Sequence, residues 1–244
     1  MRIVRHILPA TAAILALAWM ALVNAWLLII PILLGIAANV YPRWKARERL
    51  HEIIDRGDVR ALLRAWRGSV PTMTHAETAI PLMIATAYAA FGWVDEARRA
   101  RAHIIPGLAH EVSREQLEFI DVLLEVYEGD RDAARHRAES LAKMPVESGG
   151  RAASARVLAV RRGLLAITRA FVHQATAEDA RALIDVRIPV PILIWPLRYA
   201  EAIVAVDGGN LDLARTLLAS APAWPENSVF CTFHRELLVQ IDGR

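Results

Sequence analysis

From residue 7 to residue 41 the chain carries no Asp, Glu, Lys or Arg. About 20 apolar residues suffice to take a helix across the hydrocarbon of a bilayer, so this run decides first whether the protein has a membrane segment. The start MRIVRH is basic, and Val23, Asn24 and Ala25 have the small-residue character of a signal-peptide cleavage site. The next residues, WLLIIPILLGIAANVY, continue the apolar run instead of opening a polar terminus, and the single cysteine, Cys231, is not placed to carry an N-terminal lipid. A retained segment is therefore expected, with residues 1–42 as a membrane anchor contacting the bilayer through residues 7–41, and residues 43–244 as a separate domain.

A straight helix over that run would extend about 52 Å, against a hydrocarbon core of about 30 Å. The expectation divides between one tilted transmembrane helix kinked at Pro31 and a short hairpin turning near Asn24. Tyr41 and Trp44 suit an interfacial aromatic belt, and Arg43, Lys45, Arg47 and Arg49 lie just beyond it. Under either geometry the basic flank places the bulk of the chain on the cytoplasmic side, here of a bacterial inner membrane.

Apart from Arg2 and Arg5, the 29 basic residues and all 26 acidic ones lie beyond residue 41, so that part is nearly neutral. Its arginines alternate with Asp and Glu, the pattern of a solvated helix face rather than of a nucleic-acid surface, and no nucleic acid is expected as a partner. One cysteine excludes an internal disulfide and fits a reducing compartment.

Four stretches beyond the anchor share a pattern: GDVRALLRAW from Gly57, FGWVDEARRA from Phe91, GDRDAARHRA from Gly129 and GNLDLARTLL from Gly209. With Ala175 of ATAEDARALI as a fifth turn residue, the turns recur at intervals of about 34 to 46 residues, the period of stacked helix pairs. Five positions after each turn stands Leu62, Ala97, Ala134, Ala180 or Ala214. A glycine in the left-handed conformation ends the first helix, and the small residue lets the second pack closely on it.

Apolar faces precede these turns, as in Leu117, Ile120, Leu124 and Tyr127 ahead of Gly129. Ser113 with Gln116, Thr74 with Glu77 and Thr176 with Asp179 have capping-box spacing. Pro81 requires its helix either to bend or to begin near Ile80.

Ala85, Tyr88, Gly92 and Ala97, then Gly129 and Ala134 with Pro145, then Gly209 and Ala214 with Pro222, make residues 46–222 similar to the tetratricopeptide repeat family. The early tryptophan of the repeat is absent from every unit, and one interval requires an insertion near ESGGR at 147–151. The resemblance implies an all-α chain, a TPR-like α-solenoid of about five helix pairs following the anchor. It also implies a groove, lined by the first helices, that receives a peptide or helix of another protein. Counting from the turns, the groove positions include Gln116 and Phe119 in the third unit, Arg162, Arg169 and His173 in the fourth, and Tyr199 in the fifth. The three basic residues could receive an acidic motif; alternatively they are solvated or pair with neighbours such as Glu178.

The segment IPVPILIWPL at 188–197 is too short to span a bilayer and too rich in proline for a regular central helix. It reads as a buried connector with Pro196 in the first turn of the next helix, or else as an exposed apolar patch. Catalytic patterns are incomplete. No HExxH or Cys/His metal spacing occurs, Ser140 and Lys143 form an unaccompanied SxxK, Ser148, Gly149 and Gly150 lack the lysine of a phosphate loop, and Cys231 near His234 suits a core thiol. No catalytic residue, cofactor or metal is expected. The sequence points to a membrane-anchored protein-protein interaction scaffold for membrane-bound or juxtamembrane partners. The alternative is an accessory subunit of a membrane complex, assembled through its transmembrane segment.

Overall fold

The computed structural model describes residues 26–67, 76–104, 111–146, 150–187 and 190–243. Among these the regular structure is helical and contains no strand: α1 (Trp26–Asp55), α2 (Val59–Arg67), α3 (Ala76–Ala90), α4 (Val94–Ala102), α5 (Glu111–Glu128), α6 (Arg131–Lys143), α7 (Arg151–Phe171), α8 (Ala177–Arg187), a 3-10 turn η1 (Pro191–Leu193), α9 (Ile194–Asp207), α10 (Leu211–Ala219) and α11 (Val229–Asp242). The all-α expectation holds. The chain divides by packing into two units, 1–50 and 51–244.

Residues 7–25 of the expected membrane segment lie outside the described residues, as does the turn near Asn24. Among the described residues no helix is long and apolar enough to cross a membrane, so the structure supplies no span for the anchor. α1 instead runs unbroken through Pro31 and Pro42 and carries the end of the apolar run and the basic segment on one helix.

In the second unit the turn chemistry is regular. Gly57, Gly92, Gly129 and Gly209 all have positive φ, between 67° and 88°. At three of them the residue after the glycine donates its N–H back to the last turn: Asp58 to the Ile53 carbonyl at 3.2 Å, Trp93 to Tyr88 at 2.9 Å and Asn210 to Ala205 at 2.8 Å. These bonds satisfy carbonyls that a helix end would otherwise leave open. The next helix is then capped by Asp58 to Ala61 N–H (2.8 Å), by Asp130 to Ala133 (3.4 Å) or by Asn210 to Leu213 (3.2 Å), each such cap worth about 1 kcal/mol. Leu62, Ala97, Ala134 and Ala214 are fully buried where the paired helices touch.

The fourth turn corrects the sequence reading. The left-handed residue is His173 (φ 57°), two positions before Ala175, and Gln174 N–H closes on the Arg169 carbonyl at 2.9 Å. Two additional residues then lead to Thr176, which forms the expected capping box. Its hydroxyl accepts from Asp179 N–H at 3.2 Å, while the Asp179 carboxylate accepts the Thr176 N–H and O–H, both at 2.8 Å. The other two capping readings fare differently. Ser113 falls inside α5, and Thr74 lies outside the described residues. Pro81 sits inside α3, which continues past it.

Successive first helices pack side by side, α3 on α5, α5 on α7 and α7 on α9, with their partners α4, α6, α8 and α10 behind them. Leu193, Trp195 and Leu197 are buried, and Pro196 stands in the first turn of α9, so the described part of the 188–197 segment is a buried connector.

Candidate interaction surface

The face expected to receive a partner is covered by the chain itself. After α10 the segment at 222–230 crosses back to the first two turns of the array. Trp224 and Pro222 lie over Gly57, and Ser228, Val229 and Phe230 lie over Gly92. The Ser228 hydroxyl donates to the Phe91 carbonyl and Val229 N–H to the Gly92 carbonyl, each at 2.9 Å. From the neighbouring helix, Trp195 Nε1 donates to the Ile54 carbonyl at 2.7 Å. Residues more than 130 positions apart are thus hydrogen-bonded at a seam that joins the last helix pair to the first.

α11 then extends along the first helices with its aromatic side chains turned inward. The Phe230 ring stacks on Tyr199 (centroids 4.8 Å apart, planes 6° apart) and meets Tyr127 edge-on at 5.5 Å, while Phe233 lies 5.2 Å from Phe171. Such ring pairs add about 0.5–1.5 kcal/mol each beyond their burial. A polar thread runs through the cluster, with Trp224 Nε1 donating to the Tyr199 hydroxyl at 2.8 Å and His234 Nδ1 lying 3.2 Å from the same oxygen. Burial pushes the Tyr127 and Tyr199 hydroxyls above the usual tyrosine range and the His234 imidazole below the usual histidine value. The Tyr127 hydroxyl has no hydrogen-bond partner among the described residues.

The six groove positions therefore do not form one open row. Tyr199 and Phe119 are buried. Gln116 is half-buried and donates to Thr86 at 2.8 Å, and Thr86 in turn donates to the Leu82 carbonyl, one turn back in the same helix. Arg169 pairs with Asp179 at 3.2 Å, and His173 with Asp207 at 2.9 Å, so both basic groups already hold carboxylates, neither of them that of Glu178. Arg162 is exposed. A charge row inferred from helical spacing alone could not show which carboxylates the neighbouring turns supply.

A second arrangement escaped the sequence reading. Glu118, Asp121, Glu125 and Glu128 line one face of α5 between the arginines of α4 and α6. Arg98 meets Glu128 (2.9 Å at Nε) and Arg101 meets Asp121 (3.2 Å), while Arg137 meets Glu118 at 2.8 Å and Glu125 at 2.8 Å. The hydrogen bonds with Glu128, and with Glu125 and Glu118, raise the pKa values of Arg98 and Arg137 respectively. The acidic i, i+3, i+7 spacing on α5 was the available signal. Arg161, nearly fully buried, holds Glu115 and the carbonyl of Met144. Next to this lattice Glu118, His136, Arg137, Ser140, Leu141 and Met144 border an open cavity of about 370 Å³. Ser140, the serine of the SxxK spacing, donates to the His136 carbonyl of its own helix.

Among the described residues no group of three or more His, Cys, Asp or Glu side chains is placed to hold a metal ion. In α1 the exposed large apolar side chains are Val40, Tyr41 and Trp44, with the two rings 6.3 Å apart and Lys45 Nζ 5.8 Å from the Tyr41 centroid. Compared with known proteins, the chain matches no family model, no curated protein and no solved structure.

Proposed function

We propose that this chain is a membrane-anchored helical-repeat scaffold, held at the cytoplasmic face by its N-terminal segment and recruiting membrane-bound or juxtamembrane proteins through its repeat unit. The observation that carries the reading is the order of features along α1. An apolar run is followed by an exposed aromatic pair and then by Lys45, Arg47 and Arg49, the succession of core, interface and cytoplasmic flank. Tethering raises the effective concentration of a repeat unit toward partners on the same membrane. With the inner face filled by α11, the scaffold would recruit through outer surfaces, the cavity between α5 and α6 among them.

The filled inner face also favours a second reading, in which the chain is an accessory subunit that assembles through its membrane segment while the repeats serve as support. Replacing residues 1–41 by an unrelated anchor separates the two. Partners recovered from mild-detergent membranes by the tagged protein should survive the swap if the repeats recruit them. Their loss, with the swapped protein still membrane-bound and folded, would reject the scaffold in favour of the accessory subunit.

A further inference from the structure

Every described side chain from residue 40 to residue 49 is exposed. The exposed Val40, Tyr41 and Trp44 side chains leave apolar surface in water there, so this stretch calls for surroundings of another kind. At about 100° per residue, Tyr41 and Arg49 lie some 40° to either side of Lys45, with Trp44 about 100° away and Arg47 and Val40 about 200–220° away. Cations therefore stand on both sides of the helix, and the rings fill part of the interval between them. A helix lying flat on a membrane segregates its apolar and charged residues to opposite faces. A helix entering the bilayer end-on has no such requirement, and an encircling set of groups suits the headgroup layer it passes through. From Val40 to Arg49 the rise is about 13 Å, against about 5–8 Å for one interfacial layer, so the rings can sit within the layer while Arg47 and Arg49 stand at its water side, within about a Debye length of 8 Å.

We infer that residues 40–49 form a headgroup collar that selects anionic lipids, with Tyr41 and Trp44 seated at the interface and Lys45, Arg47 and Arg49 meeting lipid phosphates and acidic headgroups. The inference rests on the membrane reading above. The charge supports it: Glu48 is the single acidic residue in this stretch, and basic residues beside a membrane segment attract acidic lipid.

The test uses the full chain, reconstituted from detergent into vesicles of phosphatidylcholine and phosphatidylglycerol at about 7:3. Flotation after an alkaline wash reports attachment. Lipid mass spectrometry of the gently re-extracted protein reports selection. Wild type is expected to float and to retain the lipids at a phosphatidylglycerol-to-phosphatidylcholine ratio about fivefold the supplied one, falling toward the supplied ratio at 0.5 M salt, about three times the physiological level. The triple variant K45Q/R47Q/R49Q should float equally and retain the two lipids as supplied. Flotation with no enrichment by wild type overturns the collar and leaves the membrane reading standing. Enrichment unchanged in the triple variant also overturns it, since the selectivity would then come from elsewhere. Failure to float overturns the membrane reading and the collar with it.

Discussion

Gly92 and Gly129 occupy equivalent turns, both with positive φ, and their surroundings have nothing in common. A Cβ at Gly92 would meet Ser228 Oγ and Val229 Cγ2 at 3.0 Å and the Phe230 ring at 3.1 Å, whereas at Gly129 no atom of the described residues beyond its chain neighbours lies within 4 Å. One turn is only a turn. The other is also the bed on which the C-terminal segment rests. Gly57 belongs with Gly92, under Pro222 and Trp224. The same local motif thus ends a helix throughout the array, and at the first two turns it also leaves room for the seam that closes the repeat unit.

That contrast can be broken most severely from the other side of the seam. Phe230 is fully buried, and Phe230→Ala should cost about 3–5 kcal/mol, lowering the Tm of a unit of this size by about 10 °C in a thermal melt of the full chain. Gly92→Ala comes next. Left-handed strain of about 1–2 kcal/mol adds to crowding of about 1–3 kcal/mol, so denaturant titration should give a loss of about 3 kcal/mol. Gly129→Ala should show the strain alone, about 1–2 kcal/mol, and a cost equal to that of Gly92→Ala would erase the distinction between the turns.

The smallest effect is in pH. Burial lowers the His234 pKa in the folded chain, so below the ordinary histidine value of 6.5 the unfolded chain binds more protons, and stability is lost as pH falls from there toward the folded-state value. With the ring only partly buried, the loss between pH 7.5 and 5.5 should stay below about 1 kcal/mol. His234→Gln should flatten that part of the stability profile if the ring causes it.

The sequence made the repeat legible because its markers are local. Glycine is the residue that takes positive φ without strain, and the small residue after it is needed for close packing, so Gly57, Gly92, Gly129 and Gly209 announce four turns unaided. His173 hid the fifth, since a histidine carries no such signature and its conformation is held here by the backbone closure from Gln174 and the contact with Asp207. The seam was invisible for a different reason. Ser228 and Val229 repeat nothing, and their partners are carbonyls of Phe91 and Gly92, which every residue possesses. Trp224, Phe230 and Phe233, gathered just past the last repeat, were the one hint that the inner face would be filled from within. For the same reason Arg169 and His173 looked available. Their carboxylate partners come from the helix start after their own turn and from the end of the following first helix.

Closure of the repeat unit is tested most directly by native-state hydrogen exchange on the full chain, wild type beside Phe230→Ala. If the seam joins the ends, loss of Phe230 should deprotect α11 and also the turn at Gly57 and the end of α3 near Phe91, more than 130 residues away in sequence. Deprotection confined to α9, α10 and α11 would contradict it, and would leave an open array with an independent terminal helix.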